Sequence, residues 1–341
     1  MRKSLLALLL VAVGGMAQAA VELKEGHPEQ YTVVKGDTLW DISGRFLREP
    51  WKWPELWHAN PQVENPHLIY PGDKLSLVYI DGQPRLTLNR GASRGTIKLS
   101  PTVRTTPMAE AISTIPLEAI NSFLLSNRIV DTAEQFESAP YIVAGNAERV
   151  ISGAGDRIYG RGAFDQQVGA YGVFRQGKTY VDPESGEFLG INADDIGSVE
   201  LLEVEDDIAT LRLTRVTQEA RLGDRLFPNE ERAVNSTFMP SEPKEKVEGL
   251  ILDVPRGVTQ IGQFDVVTLN KGARDGLEIG NVLAVYKTGE TVRDRVTGEN
   301  VKIPDERSGL LMVFRAYEKL SYGLVLQATR SLAVMDKVRN P

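Results

Sequence analysis

The sequence predicts a small α+β module of βααβ type near the amino terminus, followed by tandem, mainly β domains. We expect these domains to be small and barrel-like or sandwich-like, with one or more short helices. Residues 31–80 contain two strand-like ends around stretches with helical apolar spacing. Beyond residue 80, short runs of Val, Leu, Ile and Tyr are separated by Gly, Asp and Pro, which is typical of antiparallel β structure.

The first 19 residues have the pattern of a secretory signal peptide. Two basic residues precede an apolar run at residues 5–13, and the small residues Ala17 and Ala19 occupy the positions that a signal peptidase reads. The run is shorter than the roughly 20 residues that span a bilayer, and no cysteine is present for a lipid anchor. We therefore expect cleavage after Ala19, a periplasmic location and a short polar lead-in at residues 20–30.

Charge and cysteine content narrow the possible partners. The formal net charge is −7, and loss of the two basic residues with the signal peptide takes it to −9. An acidic chain is poorly suited to binding nucleic acid or an anionic membrane surface. Because the chain has no cysteine, each exported domain must be held together by its core alone. The mature chain of about 320 residues has room for two to three domains.

Residues 31–80 are predicted to fold as strand, helix, helix, strand. A first strand at residues 31–34 leads to a helix that begins at Thr38, with Asp37 as the expected cap. Pro54 starts the second helix, since proline is favoured in the first helical turn. A turn rich in Pro, Gly and Asp then leads to a second strand at residues 74–78.

The rest of the chain is predicted to form two β-rich domains. The first covers residues 81–228 and contains one helix at about 116–130, where apolar residues follow Pro116 at helical spacing. Residues 229–248 are charged, contain proline and lack an apolar period, so we expect a linker. The second β-rich domain covers residues 249–341.

A shared framework of glycine and aspartate relates the two domains. A shift of 112 residues, without a gap, pairs Val173 with Val285, Gly177 with Gly289, Asp182 with Asp294, Gly186 with Gly298, Ile191 with Ile303, Gly197 with Gly309 and Asp224 with Asp336. Such residues fix turns while the side chains between them diverge. The carboxyl-terminal domain is therefore expected to duplicate part of the preceding one; chance similarity between two β-rich segments is the alternative.

Histidine and cysteine content excludes several kinds of enzyme. The three histidines are His27, His58 and His67, and there is no cysteine. Residues 68–341 therefore cannot form a cysteine and histidine pair, a serine triad with histidine or a histidine-ligated zinc site. Paired carboxylates remain possible, but the acidic residues near residue 200 alternate with apolar ones, as on a solvated strand face: Glu200, Glu203, Glu205, Asp206 and Asp207.

The segments YTVVKGDTLWDIS and HANPQVENPHLIYPG, with the spacing between them, resemble the LysM family of peptidoglycan-binding modules. The resemblance implies that backbone groups of two loops bind glycan containing N-acetylglucosamine in a shallow groove. The contact residues that it implies are Gly36, Asp37, Thr38, Leu39, Asn60, Pro61, Leu68, Ile69 and Tyr70. Several of these types are equally typical of turns, helix caps or a core.

All four tryptophans, Trp40, Trp51, Trp53 and Trp57, lie within this module. An aromatic ring can stack on a sugar face. We favour core packing for them, because a domain of about 50 residues without disulfides gains most of its core from large side chains.

The whole chain resembles the family of type IV pilus secretin-associated proteins (TsaP). The resemblance rests on the signal peptide, one module with EPWKWPELWHANP and ENPHLIYPGD, and the β-rich region at residues 81–341, which is similar to the carboxyl domain of the flagellar protein FlgT. It implies a non-enzymatic adaptor, without cofactor or metal, that anchors and aligns the outer-membrane secretin ring to peptidoglycan. A scaffold or regulator of cell-wall hydrolases and a glycosidase acting on peptidoglycan remain the alternatives.

Overall fold

A computed structural model describes residues 21–57, 69–89, 112–117, 119, 120, 123, 127–145, 151–229, 238–255 and 260–341. The described chain forms an amino-terminal α+β module followed by a mainly β region that includes barrels, which confirms the predicted fold class. The predicted signal peptide lies outside these residues. None of the helices in the described ranges has the length and apolar character needed to cross a membrane.

The amino-terminal module has a three-stranded antiparallel sheet of order β1-β2-β3. Its elements are β1 (Gln30–Thr32), α1 (Leu39–Phe46), a 3-10 turn (Pro50–Lys52), α2 (Trp53–Trp57), β2 (Lys74–Ile80) and β3 (Gln83–Asn89). The strand β3 lies beyond the predicted end of the module at residue 80. It forms a hairpin with β2 through the turn at Asp81 and Gly82, both of which have a positive φ.

Helix α1 begins at Leu39, one residue after the predicted start, and its cap is also displaced by one residue. The Thr38 hydroxyl oxygen accepts a hydrogen bond from the Asp41 N–H at 3.1 Å, and the Asp41 carboxylate accepts one from the Thr38 N–H at 3.2 Å. This reciprocal pair is a capping box, so the expected cap at Asp37 is wrong. The apolar positions Leu39, Ile42 and Phe46 share one face of the helix and are buried in the module core.

All four tryptophans are buried. Trp53 and Trp57 belong to the core of the module, together with Leu56, Ile69 and Leu75. Trp40 and Trp51 instead belong to a larger core that the module shares with both β-rich units. The tryptophans therefore pack in cores, and two of them join the module to the rest of the molecule.

The predicted helix at about residues 116–130 is shorter in the structure. Leu117, Ala119, Ile120 and Phe123 are helical, whereas Asn127–Val130 form strand β4. This strand pairs with the long strand β9 (Phe188–Glu205), with Val130 opposite Ile191. The β-branched pair Ile129 and Val130 is buried there, so packing against a sheet edge decides their conformation.

The first β-rich unit is a six-stranded ring of pairings with β4 added outside. Its strands run in the order β5-β7-β10-β9-β8-β12, and β12 pairs back to β5. Besides β9, its elements are α3 (Ala133–Ser138), β5 (Tyr141–Gly145), β6 (Ile151–Ser152), β7 (Arg157–Arg161), β8 (Ala170–Val181), β10 (Ile208–Val216), β11 (Ala220–Arg221) and β12 (Arg225–Pro228). Buried aliphatic side chains, including Ile158, Val173 and Leu211, fill its interior.

The second β-rich unit is a closed barrel of order β13-β14-β19-β18-β15-β20. Its elements are β13 (Glu248–Asp253), β14 (Val266–Leu269), a 3-10 turn (Ala273–Asp275), β15 (Val282–Lys287), β16 (Thr291–Arg293), β17 (Asn300–Lys302), β18 (Glu306–Ala316), β19 (Ser321–Ala328) and β20 (Lys337–Arg339). Strands β16 and β17 form a separate hairpin between β15 and β18. The interior is again aliphatic, with Ile251, Leu283 and Val325 buried.

The two barrels share strand order, register and bulges. Val173 pairs with Gly197 in the first barrel, and Val285 pairs with Gly309 in the second, with a register shift directly after each pair. The aspartates at the last turn are also equivalent: Asp224 accepts from the Arg221 N–H, and Asp336 accepts from the Ala333 N–H, both at 2.8 Å. The residues related by the 112-residue shift therefore occupy equivalent positions in the two barrels.

The described part of the predicted linker is packed rather than extended. Phe238 is buried in the shared core, and Ser241 forms a parallel bridge with Asn281 at the start of β15. The Asn281 side chain also donates to the Ser241 hydroxyl at 3.0 Å. Residues 238–247 thus line the second barrel, an arrangement that charge and proline content did not indicate.

Candidate functional site

The candidate site lies between the turn before α1 and the turn before β2. Of the nine expected contact residues, Gly36, Asp37, Thr38, Leu39, Ile69 and Tyr70 lie in the described part of the chain, and Asn60, Pro61 and Leu68 lie outside it. Thr38, Leu39 and Ile69 are buried. Their side chains therefore shape the site from within, which leaves backbone groups to face a ligand.

The turn before α1 is held by one carboxylate. Gly36 has φ +96°, a conformation that glycine adopts without strain. One oxygen of Asp37 accepts hydrogen bonds from the Tyr31 hydroxyl at 2.9 Å and from the Val34 N–H at 2.8 Å. Partial burial, together with the bond to Asp37, raises the pKa of Tyr31 above its ordinary value. Asp37 thus fixes the path of the backbone into α1.

The first backbone amides of α1 are bonded to a distant part of the chain. The Leu39 N–H donates to the Ser113 carbonyl at 3.0 Å, and the Trp40 N–H donates to the Thr114 carbonyl at 3.1 Å. The next amide, at Asp41, is capped by Thr38. The amino-terminal amides of a helix have no partner within the helix, so here residues 113 and 114 supply the acceptors.

The same segment also reaches the turn before β2. The Ile112 N–H donates to the Ile69 carbonyl at 2.9 Å. Beside it, the Tyr70 N–H donates to the Asp73 carboxylate at 3.0 Å, which closes that turn. Residues 112–115, which we call the strap, therefore span the space between the two loops of the candidate site.

Sequence reasoning did not find the strap. Its residues, Ile-Ser-Thr-Ile, carry no turn or cap signal, and they lie more than 70 positions from Leu39. The contact depends on backbone atoms, which every residue has. The one local signal of a buried segment is that two isoleucines flank two small polar residues at residues 112–115.

A cleft of about 600 Å³ lies next to the site, between α1 and the second barrel. The basic residues Lys24, Arg45 and Arg48 line it, with Gln263 and Gln327 from the barrel. The Arg45 guanidinium lies 4.7 Å from the centre of the Tyr31 ring, and Arg48 is paired with Glu22 at 3.1 Å. Because Asp37 and Asp41 also line it, the cleft presents charges of both signs together with amides.

An ion pair ties the module to the second barrel beside this cleft. The Arg307 guanidinium donates two hydrogen bonds to the Glu49 carboxylate, at 2.9 and 3.0 Å, and the Trp51 indole N–H donates to the same carboxylate at 2.8 Å. Partial burial acts to raise the pKa of Glu49, but the bonds from Arg307 and Trp51 outweigh it and hold this pKa below its ordinary value.

The acidic residues near residue 200 lie on an exposed strand pair. Glu200 pairs with Arg212, and Asp207 pairs with Arg161 at 2.8 Å, all with side chains about half exposed. In the described ranges, no group of three or more His, Asp or Glu residues is placed to hold a metal ion. The arrangement of these carboxylates is that of surface ion pairs.

Comparisons with known proteins agree with the geometry of the module. Residues 31–78 match the family model of the LysM domain. Over 60 residues the chain is 40% identical to "Uncharacterized protein YqbP" of Bacillus subtilis (strain 168), an overlap of 15% of this chain and 27% of that protein. The chain therefore covers about a quarter of that relative's length.

The chain thus contains a LysM domain, the class of module that binds peptidoglycan glycan. A binding domain of this class also indicates an extracytoplasmic location, where peptidoglycan is found.

Proposed function

We propose that the protein is a non-enzymatic adaptor that holds an envelope complex on peptidoglycan. The LysM domain binds the glycan, and the two barrels bind a protein partner, for which the outer-membrane secretin ring of the type IV pilus is our candidate. The protein then works in the periplasm, associated with the cell wall and with the outer-membrane complex. The resemblance of the whole chain to the secretin-associated family supports the choice of partner.

The observation that carries the adaptor proposal is the shared core between the LysM domain and the barrels. Trp40 and Trp51 of the LysM domain pack with Met312 and Phe314 of the second barrel and Tyr180 of the first. The Glu49 and Arg307 pair adds a bidentate bond at the same junction. A pull on the barrels is therefore transmitted to the LysM domain through packed side chains rather than through a loose tether.

The glycan contacts that we propose are mainly to the backbone. An acetamido group is a secondary amide, with one carbonyl acceptor and one N–H donor. The Leu39 and Trp40 N–H groups suit the acceptor, and the Ile69 carbonyl suits the donor. The proposed contact residues remain Gly36, Asp37, Thr38, Leu39, Asn60, Pro61, Leu68, Ile69 and Tyr70.

Weak glycan binding by one domain suffices for anchoring if many copies act together. Copies arranged around one ring would bind the wall at a high effective concentration, so the assembly would resist pulling far better than a single copy. This multiplicity is part of the proposal and distinguishes an adaptor from an isolated lectin.

Two tyrosines of the LysM domain provide a matched test of glycan binding. Tyr70 lies in the turn before β2, whereas Tyr79 lies on β2 away from the loops and is 64% exposed. We expect Tyr70→Ala in the full chain to weaken binding of tetra-N-acetylchitotetraose several-fold in isothermal titration calorimetry, and Tyr79→Ala to leave it unchanged. Equal affinities for the two variants would contradict the assignment of the groove.

The protein partner is tested separately. We expect cross-linking of envelopes that contain the tagged full chain, followed by purification and mass spectrometry, to recover the secretin. Recovery of a cell-wall hydrolase, with stimulation of its activity in a mixed assay, would overturn the secretin proposal in favour of a hydrolase regulator.

A further inference from the structure

The proposed glycan groove is filled by the protein's own backbone. The three strap bonds, from Leu39 N–H to Ser113, from Trp40 N–H to Thr114 and from the Ile112 N–H to Ile69, use donors on one side of the groove and an acceptor on the other. These are the backbone groups that we assign to the acetamido group. One peptide segment thus offers the carbonyl and N–H chemistry of an N-acetyl sugar.

The strap is held at both ends by buried apolar side chains. Ile112 is 6% exposed and packs in the core of the LysM domain, whereas Ile115 is 1% exposed and packs in the core shared with the barrels. Between them, the Thr114 side chain is fully buried, and its hydroxyl accepts from the Phe238 N–H at 3.3 Å. The strap therefore connects the groove to the segment that lines the second barrel.

Ser113 has a different character. Its side chain is half-buried, and its contribution to the groove is its backbone carbonyl. Substitution of this side chain therefore leaves the strap bonds in place, whereas substitution of Ile112 removes the anchor on the LysM side.

We propose that the strap is an autoinhibitory occupant of the LysM groove, which glycan must displace. This inference rests on the proposed binding of glycan to that groove. Displacement frees Ile112 from the LysM core and transfers the Leu39 and Trp40 amides from the strap carbonyls to the sugar. Because Thr114 and Ile115 also belong to the contact with the second barrel, a partner that shifts this contact raises glycan affinity.

Only molecules with an open groove can bind glycan. The apparent affinity is therefore the intrinsic affinity of the groove multiplied by the fraction of molecules in which the groove is open. A strap that is docked about 90% of the time weakens the apparent affinity about tenfold. Ile112→Asp places a charge where the docked strap has a buried side chain, so the open form becomes dominant. We expect this variant to bind tetra-N-acetylchitotetraose up to about tenfold more tightly than the wild type in calorimetry.

Two further variants keep the test decisive. Ile112→Ala weakens the same anchor without a charge and serves if the aspartate variant fails to fold; it should bind more tightly by a smaller factor. Ser113→Ala is the control and should match the wild type. Unchanged intrinsic fluorescence of the four tryptophans would show that each variant keeps the folded LysM domain.

Amide hydrogen exchange in the wild type supplies an independent readout. We expect saturating tetrasaccharide to accelerate exchange at the Ile112 N–H and to keep the Leu39 and Trp40 N–H groups protected. Binding with equal affinity in all variants, with the Ile112 amide still protected, would overturn the autoinhibitory strap and leave glycan binding intact. Absence of binding in the wild type and in both Ile112 variants would overturn glycan binding in the groove, and the strap proposal with it.

Discussion

Asp37 shows how one side chain can position a binding loop without touching a ligand. Its Oδ2 atom accepts from Tyr31 and Val34 and so closes the turn that carries Gly36. The capping box of Thr38 and Asp41 then starts α1 immediately afterwards. Asp37 and Asp41 thus have separate structural roles, and together they fix the direction of the Leu39 and Trp40 amides.

Asp37→Ala tests this role. Loss of the acceptor leaves the Tyr31 hydroxyl and the Val34 N–H to be satisfied by water, so we expect the free energy of unfolding of the LysM domain to fall by about 1–2 kcal/mol. Urea unfolding followed by tryptophan fluorescence reports on this domain and on the core that it shares with the barrels, because all four tryptophans lie in residues 31–80. Asp37→Asn keeps one oxygen acceptor and should lose less; a larger loss for asparagine than for alanine would contradict the role.

The Glu49 and Arg307 pair gives the junction a pH dependence. Folding lowers the pKa of Glu49 from its ordinary value of 4.5. Its contribution to stability is therefore present above pH 4.5 and is lost as the pH falls below that value through the folded pKa. We expect Glu49→Gln to lower the melting temperature at pH 7 and to differ less from the wild type near pH 3. A difference that grows as the pH falls would contradict this sign.

At the level of elements, patterns in the sequence predicted the helices and strands that depend on interactions between residues close together in the chain. Helix α1 and its buried face follow from the spacing of Leu39, Ile42 and Phe46. Contacts between distant residues were missed. Residues of β4 were predicted to be the end of a helix, and the strap has no turn or cap signal in the sequence. Both are fixed by pairing with partners more than 40 positions away, Ile191 for Val130 and Leu39 for Ser113.

The two equivalent hairpins of the barrels differ in their surroundings. In the first barrel, the turn between β8 and β9 contacts the second barrel, where Arg274 donates to Glu187 at 2.7 Å and Asn270 donates to Asp182 at 2.8 Å. In the second barrel, the equivalent hairpin of β16 and β17 carries Val296, which is 93% exposed. One hairpin therefore helps to fix the angle between the barrels, and its counterpart projects into solvent.

Glu187 and Glu299, which the 112-residue shift relates, form a matched pair for this difference. The bonds from Arg274 and Lys319 lower the pKa of Glu187 to about 2, so its carboxylate stays charged well below neutral pH. We expect Glu187→Ala to loosen the contact between the barrels and to increase cleavage in limited proteolysis at pH 7. Glu299→Ala should leave the cleavage pattern unchanged, and equal effects of the two substitutions would contradict the difference.

At the scale of the whole molecule, the fold class could be predicted, but the arrangement of its parts could not. Alternation of apolar residues and turn residues indicates strands, whereas the common core of the LysM domain and both barrels depends on side chains such as Trp40, Tyr180 and Phe314 that meet only after folding. The equal registers of the barrels support our proposal that they arose by internal duplication.

Co-sedimentation of the full chain with purified peptidoglycan sacculi tests the central claim most directly. We expect the wild-type protein to pellet with the sacculi, added tetra-N-acetylchitotetraose to release it, and Tyr70→Ala to remain largely in the supernatant. Wild-type protein that stays in the supernatant, or that pellets equally in the presence of the tetrasaccharide, would contradict the claim that the LysM groove holds this protein on the cell wall.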